Sequence, residues 1–350
     1  MNQQGQNNVE EAPSRVTINA IAKRLGVSRM TVARALNGDP RKRAKAKHRV
    51  EQVLQISREM GYRCNTAARA MSLGRLNTIG IVQCGDGPES YLPSERMNGI
   101  QHALAELKMG VMVSRVDVNK LEDSSFVPEI LRNLSADGLL MDVIRSNSPR
   151  MVNLIDEYNV PATWINVKHT HDVVRPDDLG AGVQATKILL DLGHRRIEFW
   201  DFCVRDQRHY SWADRFEGYQ QAMTKAGLLP KLLQTQFFDE EERHTTAMQL
   251  LQNHDRPTAI IADNMGDVIA ICTAAKWLRL RIPADLSVFS FQEYSEVTRC
   301  LRLSIMEQPD YAVGELAVKM LVNKIENPLM KYEPVLVPFG FKDSGSIGPP

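Results

Sequence analysis

The chain has 350 residues, 43% hydrophobic and 24% charged, with a formal net charge of +1. That composition excludes fibrous and disordered classes, and no stretch approaches the ~18 apolar residues of a membrane span. Five cysteines, Cys64, Cys84, Cys203, Cys272 and Cys300, are far apart and odd in number, which argues against a disulfide framework and offers no metal-ligand spacing; they are expected to be reduced thiols, mostly core fillers.

The first residues, "MNQQGQNNVEEAPS", are polar and acidic and lack the basic-then-apolar order of a secretory leader. A cytoplasmic protein with a disordered tail over 1–14 is expected. The modest net charge hides a polarity along the chain. Residues 15–75 carry fifteen Lys/Arg against Asp39, Glu51 and Glu59, whereas residues 76–350 carry twenty-eight Lys/Arg against thirty-seven Asp/Glu. A basic head on an acidic body suggests a polyanionic partner, with a merely solvated basic face as the alternative.

In "VTINAIAKRLGVSRMTVARALNGD", Ile18, Ile21, Ala22 and Leu25 recur at helical spacing, and Gly26 stops the helix. Ser28 is placed to cap a second helix that turns Val32 and Leu36 inward. A third amphipathic stretch, "KHRVEQVLQISREMGY", offers Val50, Val53 and Leu54 as one stripe to close a three-helix core. Arg29, Met30, Thr31 and Arg34 then remain on the outer face of the second helix. In a helix-turn-helix that element meets base edges in the major groove. Arginine pairs bidentately with guanine, methyl-bearing side chains contact thymine, and hydroxyls such as Ser28 suit phosphates.

The short stretch "NTAARAMSLGR", residues 65–75, has a plausible N-cap in Asn65, two alanines at Ala67 and Ala68, and a stop at Gly74. A helix of this length is marginal in water and needs partners to persist. Beyond it, "TIGIV", "GVMVS", "DGLLM", "ATWINV", "RIEFWDF", "TAIIAD" and "LSVFSF" read as buried strands, each followed by an amphipathic helical stretch, the pattern of parallel α/β sheets. "RMNGIQHAL" at 96–104 and "RFEGYQQAM" at 215–223 share Arg-x-x-Gly-x-Gln-x-Ala, which implies two similar halves. Doubly wound halves of this kind bind ligands at their strand ends.

The run Val16–Gly38 resembles the N-terminal signature of the LacI/GalR (lactose-repressor) family of transcriptional regulators, with Ala22, Gly26, Val27, Ser28, Thr31, Val32, Arg34, Leu36 and Asn37 in place. It departs at Ala20, where the family usually has Asp, and in "RKRAKAKHR", where Arg43 replaces the third helix's capping serine and extra positive charge should steepen the salt dependence of DNA binding. "VRPDDLGAGVQATKILLDLGHRRIEFW" and "LRIPADLSVFSF" are similar to the family's body, so the likeness runs from Val16 to the end. The resemblance implies an all-α helix-turn-helix head over 15–63, a hinge helix and linker over 64–76, and a periplasmic-binding-protein-like α/β body of two parallel-sheet lobes over 77–350. Lobe 1 is expected at about 77–170 and 304–330, and lobe 2 at about 171–303 and 331–343.

It implies DNA contacts at Thr17, Ser28, Arg29, Met30, Thr31, Arg34 and Asn37, and hinge contacts at Asn65, Ala68, Arg69 and Met71, the last as a wedge in the minor groove. Cys64 takes the place of the family's hinge proline. An effector is expected at Asp177, Arg215, Asn264 and Gln292. Gln292 stands where the family has an aspartate, and Met265 replaces another, so a typical sugar grip is weakened. Arg96 is expected to cap or brace its own helix, and His194 to be structural. Tyr210 and Trp212 either stack on a ligand ring or pack the lobe, and the acidic run Asp239 to Glu242 reads as a solvated face.

The expected partners are operator DNA, a second copy of the chain and a sugar-like or other small effector, with no cofactor, metal or membrane. Nucleophile elbows, P-loops and Gly-x-Gly-x-x-Gly after a strand are missing, so an enzyme has little support. A ligand-insensitive regulator is the alternative. A solute-binding receptor would have no use for the basic head.

Overall fold

The computed structural model describes residues 16–36, 47–63, 74–85, 92–133, 135–143, 149–202, 209–235, 239–292 and 295–350. The chain divides into two units, Met1–Leu76 and Asn77–Pro350. The expected tail at 1–14, and the hinge residues Asn65, Ala68, Arg69 and Met71, lie outside the described residues.

In the first unit, α1 (Ile18–Leu25) starts at Thr17, whose side chain accepts from the Ala20 amide, and stops at Gly26 in the left-handed region, φ 62°. The tight turn leads into α2 (Arg29–Leu36), and α3 (Lys47–Glu59) completes the bundle. Ile21, Val32 and Val53 are fully buried, with Val16, Ile18, Leu25, Leu36, Val50 and Ile56 packed around them. Each such side chain contributes about 1.5–3 kcal/mol of burial, so the core is small but closed.

One expected core residue differs. Leu54 is 39% exposed. Ile56 and Met60 pack against the core and rotate the buried face of α3 toward themselves, so Ser57 takes the inward position and donates to the Val53 carbonyl at 2.7 Å.

The second unit runs β1 (Thr78–Gly85), α4 (Ser94–Glu106), β2 (Gly110–Asp117), α5 (Glu129–Arg132), β3 (Gly138–Val143), α6 (Pro149–Glu157), β4 (Ala162–Ile165) and β5 (Val173–Pro176). It continues through α7 (Asp178–Asp191), β6 (Ile197–Asp201), α8 (Tyr210–Lys225), β7 (Lys231–Gln234), α9 (Glu240–Leu251), β8 (Ala259–Ala262), α10 (Met265–Trp277) and β9 (Ser287–Gln292). It closes with α11 (Glu296–Cys300), β10 (Ser304–Glu307), α12 (Asp310–Glu326), β11 (Val335–Val337) and β12 (Gly340–Lys342). The first sheet has the order β2-β1-β3-β4-β5-β11 and the second β7-β6-β8-β9-β10-β12. The two halves therefore share one strand order, parallel throughout except that β12 runs antiparallel to β10. Each sheet is covered on both faces by separate apolar clusters, as near-continuous hydrophobic strands such as "AIIA" require.

The expected lobe boundaries are corrected by the strand pairing. Val173–Pro176 belongs to the first sheet, where Trp164 pairs with Val173, and Val335–Val337 lies beside it. Ser304–Glu307 belongs to the second sheet, in parallel with β9. The cause is that the chain crosses between lobes three times, after Pro176, after Glu307 and after Val337, and the flanking strands are only three or four residues long. Strands so short carry little periodic signal. They also explain why β4 is followed by no helix: Asn166, at φ 55°, turns the chain directly toward β5.

His194 holds the C-terminal segment to the second lobe. Its Nε2 lies 2.7 Å from the Gly348 carbonyl and its Nδ1 2.9 Å from Thr258 Oγ1. Ser346 adds bonds to Ser304 N and Val288 O. Cys84 is buried and Cys272 half-buried, with burial pushing their thiols up to about 12 and about 11, which makes them inert core fillers. Cys300 is exposed.

Candidate functional site

On the head, Ser28 Oγ accepts from the Thr31 amide at 3.1 Å and lies 2.9 Å from Thr31 Oγ1, so the two hydroxyls cap the start of α2 jointly. Val32 and Ala35 point inward, which leaves Arg29, Met30 and Arg34 on the exposed face. Met30 is 61% exposed, an unusual position for an apolar side chain unless a surface is to be met there. Thr17 caps α1, and Asn37 lies outside the described residues.

In the body, the internal echo becomes a matched pair of ionic clusters. Arg215 Nε donates to Asp178 Oδ1 at 2.8 Å and its Nη1 to Asp263 Oδ1 at 2.7 Å. Arg96 does the same in the first lobe, with Nε 3.0 Å from Asp310 Oδ1 and Nη1 3.1 Å from Asp142 Oδ1. Arg96 thus does not brace its own helix; it ties α4 to α12 and β3. In each lobe one aspartate opens a helix immediately after an interlobe crossing, Asp178 for α7 and Asp310 for α12, and the other lies at the carboxyl end of the third strand of its half. The helix pairs cross closely. A Cβ on Gly182 would stand 2.1 Å from Arg215 O, and one on Gly99 would stand 2.1 Å from Tyr311 O, so only glycine fits either crossing.

Burial opposes the Arg215 charge, but Asp178 and Asp263 outweigh it and hold the guanidinium protonated well above its ordinary range. Burial pushes the Asp178 carboxyl up, and the Arg215 guanidinium opposes that rise. The faces of the guanidinium are also occupied, with Phe291 5.1 Å and Phe339 5.5 Å away.

A second set of contacts joins the lobes. His209 Nε2 lies 2.9 Å from Asn166 O, which requires its proton on Nε2, and the Tyr210 hydroxyl donates to Asn166 Oδ1 at 3.2 Å. Lys168 and Arg175 reach Asp214 at 2.6 and 3.5 Å, and both cations also lie over the Tyr210 ring. Burial lowers the His209 imidazole despite the Asn166 carbonyl, and the charges of Arg215 and Arg96 lower it further, which puts this ring within the field of both clusters. Trp212 stacks on Phe216 at 5.5 Å. Of the two roles open for Tyr210 and Trp212, lobe packing has the contacts.

Of the four expected effector residues, Asp177, Asn264 and Gln292 lie at the carboxyl ends of strands or the starts of helices and Arg215 in the second turn of α8, with divided tasks. Asp177 accepts from the Gly180 amide and caps α7, while its neighbour Asp178 takes Arg215. Asn264 caps α10 by accepting from Gly266 N at 2.7 Å. Gln292 Nε2 donates to the Asp263 carbonyl at 2.8 Å. Sequence reasoning missed Asp263, Asp310, Phe339 and His209. The signal for the first two was present: Asp310-x-x-x-Gly314 repeats Asp178-x-x-x-Gly182 just as the Arg-x-x-Gly pair repeats. Asp239 caps α9, with Glu240, Glu241 and Glu242 in its first turn, where the helix dipole favours acid. No group of three metal-ligating side chains occurs among the described residues, and no described helix is long and apolar enough to cross a membrane.

A helix-turn-helix head on a body of two doubly wound, triply connected lobes defines a DNA-binding regulator with a periplasmic-binding-protein-like body. A family profile for bacterial regulatory proteins of the lacI family matches residues 17–65, and one for a periplasmic binding protein-like domain matches residues 186–346. The chain is 26% identical over 328 residues to the ribose operon repressor of Haemophilus influenzae, covering 92% of this chain and 95% of that protein. Its fold is similar to the Lac repressor dimer bound to operator and the anti-inducer ONPF, with TM-score 0.74, 21% identity, and coverage of 95% of this chain and 100% of that one. It is also similar to a LacI family transcriptional regulator from Enterococcus faecium with bound ribose, with TM-score 0.62, 21% identity, and coverage of 78% and 99%. The chain thus carries a lacI-family regulatory domain followed by a periplasmic binding protein-like domain.

Proposed function

We propose that the protein is a cytoplasmic repressor that binds a near-palindromic operator as a homodimer, with operator affinity set by a small molecule held between the lobes. The observation that carries the DNA half is the face of α2: Arg29, Met30 and Arg34 stand exposed on a helix whose start is fixed by Ser28 and Thr31. That is the arrangement needed to present an arginine fork and a methyl-bearing side chain to base edges. The fifteen basic residues over 15–75, head and hinge together, favour phosphate contacts. Asn65, Ala68, Arg69 and Met71 enter as minor-groove residues by family resemblance.

Dimerisation is supported by the small number of bases one reading helix can contact, and by the outer edge of β2, where Val111 and Val113 are 37% and 52% exposed. Ligand control is supported by the doubly wound lobes, whose strand ends gather Arg215, Asp178, Asp263 and Gln292 at the position where such folds bind small molecules. The relatives named above are regulators. One observation favours a second reading, a regulator blind to small molecules: Arg215 is already saturated by the chain's own carboxylates and aromatic rings.

Selection of bound fragments from random duplex DNA tests the main reading. A dyad-symmetric sequence, bound with dimer stoichiometry and lost on Arg34→Ala, is expected. A sequence-independent footprint, or unchanged binding by Arg34→Ala, would overturn it. Titration of the selected operator complex with small metabolites then separates the ligand-controlled from the ligand-blind reading.

A further inference from the structure

The connection 166–172 of the first lobe and the start of α8 on the second are each fastened to their own lobe, and His209 stands between them. Asn166 N donates to Val174 O at 3.1 Å, and His169 in the same connection stacks on Trp164 at 5.1 Å. α8 is held to α7 by the Arg215–Asp178 pair and by the close crossing at Gly182. His209 commits both of its ring nitrogens at this junction. Nε2 donates to Asn166 O at 2.9 Å, while bare Nδ1 accepts from the Ser211 hydroxyl at 2.8 Å and from the Ser211 amide at 3.4 Å, which caps α8. One neutral tautomer therefore serves both lobes.

We infer that His209 is a proton-operated latch between the lobes: with one proton it caps α8 and holds the first lobe, and a second proton releases both. Its effect on operator binding rests on the reading above, in which the interlobe site governs affinity; the latch itself rests on the geometry. A proton on Nδ1 turns the acceptor of the cap into a donor facing the Ser211 amide, so the ring or the first turn of α8 must move. Either movement takes Nε2 off the Asn166 carbonyl. Charge acts in the same direction. Among the described residues, the cations around the ring are Arg215 on α8, Arg96 on α4, Arg175 on β5 and Lys168 in the connection; the acids are Asp178, Asp214 and Asp263. Those acids already bind the cations, Asp178 and Asp263 holding Arg215 and Asp214 holding Lys168 and Arg175. The ring nitrogens themselves meet neutral groups, Ser211 and Asn166. Burial first, and then Arg215 and Arg96, outweigh the Asn166 carbonyl and Asp263 and keep the ring neutral at pH 7, so the latch opens only in acid. The other titratable groups at this junction are Tyr210, which donates to Asn166 Oδ1, and His169 and His171, bonded to His171 O and Asp172.

The test follows amide hydrogen exchange by mass spectrometry, corrected for its intrinsic pH dependence, and small-angle scattering of the full-length protein at pH 7.5 and pH 5. In the wild type, acid should weaken protection of 210–216 by about tenfold or more and increase the radius of gyration. His209→Gln offers an uncharged donor and acceptor in place of the ring and should remove both responses. His209→Asn keeps a favoured N-cap but is too short to reach Asn166, so 210–216 should stay protected while the larger radius appears at both pH values. Circular dichroism verifies that each protein is folded. Acid responses that persist in folded His209→Gln belong to His169, His171 or another group and overturn the inference. So does a wild type that stays fully protected at pH 5. Binding to the selected operator is measured alongside: its ratio between the two pH values should differ between the wild type and His209→Gln. If exchange and scattering respond as expected while that ratio is the same in both proteins, the latch stands and control of operator binding from the interlobe site fails.

Discussion

Arg215 and Phe339 lie on different parts of the chain but meet face to guanidinium, 5.5 Å from carbon to ring centroid. Phe339 sits in the third interlobe crossing, between β11 and β12, while Asp178, the ion partner of Arg215, opens the helix after the first. One side chain therefore fastens two of the three connections to the second lobe. Asp177 N, bonded to Val337 O at 2.8 Å, ties the same two crossings through the backbone.

Removing that side chain should cost stability rather than only affinity. Arg215→Ala leaves Asp178 and Asp263 without their counter-charge, and breaking a buried pair from one side typically costs about 3–5 kcal/mol. Arg96→Ala should cost a similar amount in the first lobe, since Asp142 and Asp310 are as deeply buried. Denaturant titration of both variants checks this. A purely ligand-gripping arginine would instead leave the midpoint of unfolding in place.

The helix crossings make a second prediction. Gly182→Ala and Gly99→Ala each drive a methyl to within 2.1 Å of a backbone carbonyl oxygen, which cannot retreat as a flexible side chain would. Both should lower the melting temperature by several degrees, on the order of the 1–3 kcal/mol of an overpacked core. Gly227→Ala is not a matched control, because its φ of 72° penalises any side chain. A neutral comparison is exposed Thr224→Ala.

One buried and one half-buried histidine make the body sensitive to acid. Burial holds His194 and His209 below their ordinary values, so the unfolded chain binds protons more readily than the folded one. Their contribution is complete above the unfolded value near 6.5 and is lost as pH falls below it. Asp267 acts oppositely. Its carboxyl is pushed up to about 6, first by burial, so it burdens the fold at neutral pH and is relieved as pH drops through 6. Asp267→Asn, which keeps an acceptor for the Phe202 amide, should raise the melting temperature at pH 7.5 and lose that advantage progressively as pH falls from about 6 to about 4. An equal shift at pH 7.5 and at about pH 4 would refute the assignment.

In the head, Ser28→Ala removes the acceptor for the Thr31 amide and should cost about 0.5–2 kcal/mol of head stability. Arg34→Ala should leave head stability within about 0.5 kcal/mol, because Arg34 is exposed, while abolishing preference for the operator. Melting curves beside gel shifts separate the two effects.

Much of this architecture was legible in the residues. The capped helix pair announced itself through Thr17, Gly26 and Ser28, each a local device whose effect depends on a few neighbouring residues. The long apolar strands were equally plain, since "TIGIV" or "AIIA" can be satisfied only between covered faces. What escaped was non-local. Val173–Pro176, Ser304–Glu307 and Val335–Val337 are too short for a periodic signal, and their sheet membership is decided by where the chain crosses. The choice between Asp177 and Asp178 was similarly hidden, because two adjacent aspartates look alike until one caps a helix and the other meets an arginine 37 positions away. Leu54 misled for a related reason: a stripe read from one helix does not say where its neighbours will press.

The triple passage between lobes also constrains the order in which the body is made. Strands β11 and β12, one for each sheet, are the last of the described strands, so the first lobe lacks its full set until residue 337 has left the ribosome and the second until residue 342. The three-helix head is complete after its first sixty or so residues and needs none of them. A nascent chain thus carries a finished head long before the lobes are whole, and a fragment truncated between α3 and β11 would keep the head while leaving both lobes incomplete.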